Sequence, residues 1–538
     1  MTTATFAQQV PSEITIIAEP PIRVSGFDGT SQQELPISVT SFDNATLRDV
    51  GAQRITDALR LDASVSDSYN LPAYWDKLSV RGYALDNRYN YRREGLPISA
   101  ETIIPMDNKE RIELLKGTSG IQSGTSAPGG LVNYVVKRAP SSADKTMRDV
   151  TLSYGPGNNR LTAADLGGRF GEDASFGYRF NVAHEDLDPY IRDTKGHRNL
   201  VALAMDWRID SRNRLEWEFE QSHVEQIGVN FYSLLDNGAN ATPTLPAPVD
   251  GTRNITHQPN ARPGVFDGLT GSVRFKHQLE NNWVWTTQYA VQRLRADDRL
   301  MYASGCSATV QDRFCANGNF QIYNYNTENE RRNNDVVQTA LSGQTHWGGL
   351  EHDFTLSVMH QRLVDDMPPT QTSPLLGTTN SITGGLTPPS QAADRSGLMS
   401  NTRDNTTEWA LKDRIKLNDR TSTWLGVRYT QLKRQTAMTD GSSPTQDQRN
   451  FMTPWMAVSH QLDAGPMVFA SAGQGIESEV SPNAPWTSYS NAGQALPTLR
   501  SHQHEVGIKS FAYQTSWQAT WFDITRPMSG DSAGCNNG

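Results

Sequence analysis

From about residue 148 onward the chain follows a two-residue period, the mark of extended strands with one apolar face. In LEWEFE, Leu215, Trp217 and Phe219 alternate with Glu216, Glu218 and Glu220. In VALAMDWRI, Val201, Leu203, Met205, Trp207 and Ile209 alternate with Ala202, Ala204, Asp206 and Arg208. The period recurs in FGYRFNV (Phe176, Tyr178, Phe180, Val182), WVWTTQYAV, FTLSVMH and WLGVRY. One face is apolar and rich in aromatics, while the other carries charges. A soluble sandwich and a membrane barrel both fit this alternation.

Loop length separates the two. About 15 strand candidates follow one another from VTLSYG, and tight turns close every second connection. These are GED at Gly171, DSRN at Asp210, LENN at Leu279, WGGL at Trp347, LNDR at Leu417 and LDAG at Leu462. Most of the intervening connections are far longer: Asn237 to Gly264, Met301 to Glu330 and Asp365 to Asn405. Short turns on one rim and long loops on the other predict an outer-membrane barrel with its short rim in the periplasm. The fifteenth candidate, SWQATWFDI, runs toward the long-loop rim, so an even antiparallel barrel is expected to need further strands.

Upstream of about residue 140 the pattern is different: short apolar runs, turns and one helical segment, ITDALRL, with Ile55, Ala58 and Leu59 on one face. Composition narrows the picture further. The 538 residues carry a formal net charge of −9, which gives a nucleic-acid partner no electrostatic support. Mean hydropathy is −0.58, and no apolar run reaches the roughly 18 residues of a membrane helix. Barrel strands are not excluded by this, because they are apolar only at alternate positions. Cys306 and Cys315 flank a short polar loop and are expected to close a small disulfide in an oxidising compartment. The opening MTTATFAQQV ends in small residues at Ala7 and reads as the remnant of a secretory signal.

The stretch LLKGTSGIQSGTSAPGGLVNYVV invites comparison with a phosphate-binding loop. Its lysine, however, precedes the glycines, and the final glycines lead into a β-type segment, so the pattern is not a P-loop. Gly117, Gly120, Gly124, Gly129 and Gly130 are expected instead to serve tight turns and close backbone packing. GDSAG, Gly530 to Gly534, matches G-x-S-x-G around Ser532, but no histidine follows it, which argues against a hydrolase. His502 and His504 share a strand face without a third metal ligand in view. No enzyme activity, cofactor or metal centre is expected.

The segments PISVTSFDNATLRDVGAQRITDALR, LSVRGYALDNRYNYRREGLPIS and ERIELLKGTSGIQSGTSAPGGLVNYVVKR appear here in an order that resembles the plug of TonB-dependent outer-membrane receptors, above all their siderophore branch. The resemblance rests on Ser79, Arg81 and Gly82, on Gly95 to Pro97, and on Lys116 to Asn133. Glu94 stands where the family usually has aspartate, and HEVGIK around Glu505 to Lys509 resembles a recurrent barrel strand. The resemblance implies a mainly β protein, a transmembrane antiparallel β-barrel with a small N-terminal α/β plug domain inside it. Family barrels have about 22 strands, so roughly seven are expected beyond those found here.

The expected organisation is a signal remnant at 1–10, a TonB box and linker at 11–34, a plug domain at 35–140 and an incomplete barrel at 147–538. Glu13, Ile14, Thr15, Ile16 and Ile17 resemble the TonB box, and their β-propensity suits strand addition to a partner's sheet edge. The resemblance also implies that plug loops floor the ligand site. The candidates are Tyr74, Trp75, Tyr83, Arg88, Tyr89, Tyr91 and Arg92, whose aromatic faces and guanidinium groups suit an anionic iron chelate. Alternate members of this run are expected to pack inside the plug, and Arg81 reads as a buried structural arginine. The implied function is import of a ferric siderophore across the bacterial outer membrane, with TonB and outer-membrane lipid as partners. Haem, cobalamin or a saccharide is the alternative cargo, and the long loops are poor in the histidines a haem site would use.

Overall fold

The computed structural model describes residues 24, 26–27, 30–68, 73–155, 157–228, 250–257, 261–304, 319–369, 375–380, 397–463, 465–481, 489–512 and 515–528. Glu13 to Ile17, Cys306, Cys315 and Ser532 lie outside the described residues.

The N-terminal unit is a five-stranded sheet in the order Val39–Asp43, Lys109–Lys116, Gly130–Val136, Tyr91–Arg93 and Leu96–Pro97. Its pairings are antiparallel except between Tyr91–Arg93 and Gly130–Val136. Two short helices, Asn44–Asp49 and Ile55–Leu59, lie against it. Asp43 caps the first by accepting from the Thr46 amide at 2.8 Å. The face predicted for the second is the one it buries: Ile55, Ala58 and Leu59 join Leu47, Ile112, Leu114, Val132 and Tyr134 in one apolar core. A smaller sheet of Val65–Asp67, Leu78–Val80 and Tyr83–Ala84 completes the unit.

From Met147 the chain forms a 16-stranded sheet, fifteen strands of which follow one another in sequence order as antiparallel neighbours. The remaining strand, Leu375–Asn380, pairs beside Asn319–Trp347. Most inward positions of the wall are charged, polar or small, with Trp424 and Trp455 turned in against the plug, and the outward positions are rich in apolar residues. In Asn213–Gln226 the inward Glu216, Glu218 and Glu220 are buried, whereas the outward Phe219 is 43% exposed. Among the described residues no helix is long and apolar enough to cross a membrane; the strands supply the apolar belt.

The short turns fall where the sequence marks them. At Asp210 the carboxylate accepts from the backbone amides of Arg212 and Asn213 at 2.7 and 2.8 Å, tying the hairpin with side-chain chemistry. At Gly348 and Gly349 both central residues have positive φ, 60° and 80°, as the twist of a two-residue hairpin requires.

The long connections are shorter than expected. Val284–Ser304 and Asn319–Trp347 reach far into the segment predicted as a loop from Met301 to Glu330. Polar residues such as Asn319, Gln321, Asn326 and Glu328 interrupt the apolar positions of these extensions, where Phe320 and Ile322 form a small buried cluster with Met301, while the backbone ladder continues. Periodicity therefore underestimates strand length on this rim.

Candidate functional site

The N-terminal unit sits against the inward face of the wall as a plug, and charge-assisted hydrogen bonds attach it there. Arg93 donates to Glu218 at 2.9 Å through Nε and to Glu220 at 2.7 Å through Nη1. Lys109 and Asn108 also reach Glu220, at 2.8 and 2.6 Å. Burial pushes the Lys109 ammonium down to about 8, against the pull of Glu220. Glu94, at φ 52°, accepts from the Val136 amide and pairs with Arg138 and Arg274. Burial alone would raise its carboxyl, but the two guanidinium groups hold it well below the usual carboxylate range. Arg81 bonds Glu505 at 2.7 Å with its side chain 3% exposed, and its guanidinium lies over Phe522. It is a buried structural arginine.

The glycine stretch belongs to this contact. A methyl on Gly120 would overlap the Gln474 carbonyl, and one on Gly124 would overlap Thr430 and Glu408. The backbone approaches the wall too closely for any side chain. Gly117 also takes φ 96°, a conformation that suits glycine.

At the long-loop end the plug meets the wall through a second cluster, and here several predicted residues come together. Tyr74 stacks on Trp75 with ring centroids 4.0 Å apart, and both rings stand edge-on to Phe266 of the wall. The Tyr74 hydroxyl donates to Asp298 at 2.9 Å. Burial, reinforced by the Asp298 carboxylate, pushes the Tyr74 phenol well up, so it stays protonated. Arg332 lies over Trp75 at 5.3 Å and pairs with Glu101 and Glu330. Arg88 pairs with Asp365 at 2.8 Å and faces Asp404 at 3.6 Å. Tyr89 donates to Asp404, which also holds Arg434 at 2.8 Å.

Several buried polar atoms of this cluster have no hydrogen-bond partner among the described residues: Arg88 Nε, Asp298 Oδ1 and Asp365 Oδ1. These atoms are free to pair with water or with a polar ligand group.

The remaining candidates lie elsewhere. Tyr83 donates to the Ile524 carbonyl at 2.9 Å, on the last described wall strand. Tyr91 is 1% exposed in the plug core, and Arg92 is 4% exposed with Nη1 on the Gly95 carbonyl at 3.0 Å. Strand pairing with Gly130–Val136 holds these two inside the sheet, as expected for alternate members of the run. The wall residues of the cluster, Asp298, Arg332, Asp365, Asp404 and Arg434, were not among the candidates. Inward-facing charge at a strand's long-loop end is the signal that marks them, but it identifies a polar lumen without saying which positions converge.

Residues 220–527 match the family model for the TonB dependent receptor-like beta-barrel, and residues 31–131 match the model for the TonB-dependent receptor plug domain. The chain is similar to the ferrichrome receptor FcuA of Yersinia enterocolitica, 26% identical over 48% of this chain and 33% of that protein. It is also similar to the metal-pseudopaline receptor CntO of Pseudomonas aeruginosa, 23% identical over 74% of this chain and 54% of that protein. The matched segments thus span about half or less of these relatives. Among solved structures, BauA, the ferric preacinetobactin receptor of Acinetobacter baumannii, superposes with a TM-score of 0.79 at 17% identity, covering 93% of this chain and 72% of that one. The catecholate receptor Fiu of Escherichia coli in its open form gives 0.74 at 18% identity, covering 92% and 76%. At these identities the structures bear on the fold alone.

Proposed function

The chain belongs to the TonB-dependent receptors of the bacterial outer membrane, and on that premise we propose that it binds a ferric siderophore at the long-loop end of the plug and imports it into the periplasm. The observation that carries the reading is the cluster of Tyr74, Trp75, Arg88 and Tyr89 against the wall, with its unsatisfied polar atoms. These side chains belong to the plug, whereas their partners Asp298, Asp365 and Asp404 belong to the wall. A chelate entering between them exchanges plug–wall bonds for plug–ligand bonds, which couples binding to loosening of the plug. Relatives and structural neighbours named as siderophore receptors support the cargo class.

The energy source proposed is TonB, acting on Glu13 to Ile17 by strand addition. The first described residues agree with that direction. Phe27 packs on Trp455, and Lys509 donates to the Gln32 carbonyl at 2.8 Å, toward the short-turn end of the wall.

The charge balance refines the cargo. Three guanidinium groups, Arg88, Arg332 and Arg434, face five carboxylates, Glu101, Asp298, Glu330, Asp365 and Asp404. Every arginine of the cluster is already paired, so a strongly anionic chelate gains little here. We infer a ferric chelate of low or no negative charge. The test is growth on limiting iron of a receptor-deficient strain expressing the chain, supplied with neutral, cationic and triply anionic ferric siderophores. Rescue by a neutral or cationic chelate and not by the anionic one is expected. Absence of rescue by every ferric chelate would refute the cargo class, and selective rescue by the anionic one would refute the charge reading. A metal chelate other than iron is the second reading, favoured by the 74% of this chain that matches the metal-pseudopaline receptor.

A further inference from the structure

On five neighbouring strands the outward face changes from apolar to polar at heights that agree to within one outward position. Val182 is followed by His184, Val201 by Asn199, Phe219 by Gln221 and His223, Leu269 by Asp267, and Val291 by Arg293. This step is the upper edge of the lipid belt. Just above it, the registers His184 to Asn199, Asn199 to His223 and His223 to Asp267 form one row across four strands. In the next row up, His197 faces Glu225 directly.

Two histidines and a glutamate converge between these rows. One ligand atom each from His197, His223 and Glu225 can be chosen so that all lie within 4.8 Å of one another. The His223 Nε2 to Glu225 Oε2 distance is 4.0 Å, and the two imidazole centroids are 5.3 Å apart. Ligand atoms about 2.0–2.2 Å from a tetrahedral zinc ion stand roughly 3.3–3.5 Å apart, so a small side-chain closure suffices. Both side chains are partly open to water, with His223 32% and Glu225 39% exposed.

A second observation concerns orientation. His223 Nδ1 lies 2.7 Å from Asp267 Oδ1, and since a carboxylate only accepts, that nitrogen carries the proton. The other ring nitrogen is thereby turned toward Glu225 with its lone pair available. Asp267 is itself fixed, because its Oδ2 accepts from Arg295 at 3.0 Å. Carboxylate, histidine and metal in this sequence form a recurrent arrangement, in which the outer carboxylate sets the tautomer and raises ligand basicity.

We propose that His197, His223 and Glu225 bind one divalent cation of the zinc class on the outer wall of the barrel, at the upper edge of the lipid belt, with water as the fourth ligand. The imidazole and carboxylate donor set suits zinc, and ligands from two adjacent strands make the ion a clasp between Gly196–Arg208 and Asn213–Gln226. The site is independent of the siderophore cluster, which faces the lumen.

The test is calorimetric titration of the full chain in detergent with zinc chloride. One saturable site is expected. His197→Ala, His223→Ala and Glu225→Gln should each weaken it by more than the ~10–100-fold expected for Asp267→Asn. His360→Ala, whose outward ring bonds Thr407 on distant strands, should bind as the unsubstituted chain does. Cobalt(II) in the unsubstituted protein reads the geometry without any variant, since tetrahedral cobalt absorbs strongly in the visible and octahedral cobalt weakly. No saturable zinc binding, unchanged affinity in either histidine variant, or an octahedral cobalt spectrum would overturn the proposal.

Discussion

The two faces of Asn213–Gln226 differ more than many pairs of separate domains. Outward stand Leu215, Trp217 and Phe219; inward stand Glu216, Glu218 and Glu220, all buried against the plug. The plug's own core, in turn, is apolar and conventional. The molecule therefore uses three kinds of contact: apolar to lipid, apolar within the plug, and mixed between plug and wall, where buried ion pairs stand beside apolar patches such as Ile121 and Phe27 on Trp424 and Trp455. The difference teaches how the last can be both seated and released. Its apolar patches resist separation through the surface they would expose, whereas its ion pairs can be exchanged one at a time for ligand or water.

The largest expected effect comes from removing a charge at that contact. Glu220→Ala leaves Lys109, Arg93 Nη1 and Asn108 without their shared acceptor and should destabilise plug seating by about 3–5 kcal/mol. Hydrogen exchange of plug amides reads the loss. Replacing Lys109 and Glu220 together by methionine should restore part of it, because the ammonium no longer stands unpaired and Arg93 keeps Glu218, while Asn108 still lacks its acceptor. Failure of the double variant to recover would mean that the ionic character itself is required.

Next comes the opposite face. Trp217→Arg, in the middle of the outward run Leu215, Trp217 and Phe219, puts a cation in the lipid belt and should cost ~2–4 kcal/mol near the bilayer midplane, measured by denaturant unfolding from bilayers. A cost near zero would mean that this face does not meet lipid. Gly120→Ala tests closeness rather than charge: its methyl meets the Gln474 carbonyl, and overpacking of this kind costs about 1–3 kcal/mol, again read in plug exchange rates.

The smallest effect is a pH dependence inside the plug. Burial raises the Asp62 carboxyl, but bonds from Lys116, Ser64 and Thr40 outweigh it and hold the group at about 2, below its ordinary 3.8. A depressed carboxyl contributes stability that is complete above the unfolded value and is lost as pH falls toward 2. Asp62→Asn should flatten the acid limb of plug unfolding by lowering stability at neutral pH while changing it little near pH 2.

Sequence alone determined the barrel. Alternation is a local property of a strand between two media, so Leu215 to Glu220 declares both faces without knowledge of any neighbour. Turn chemistry at Asp210, Gly348 and Gly349 is local as well, and it fixed the short rim. The plug's motifs were legible as a resemblance, and the glycines as requirements for close approach.

Tertiary structure decided what converges. Arg88 and Asp365 are far apart in the chain, and so are Tyr74 and Asp298; strand register and plug seating bring them together. It also separated Tyr91 and Arg92 from Tyr89, because strand pairing buries one end of a run whose residue types look alike. The His197, His223 and Glu225 group was equally hidden, since it depends on a register between two strands. Residue type and period report which medium a side chain meets, whereas the neighbour across the ladder is set by strand register and by how the wall curves around its plug.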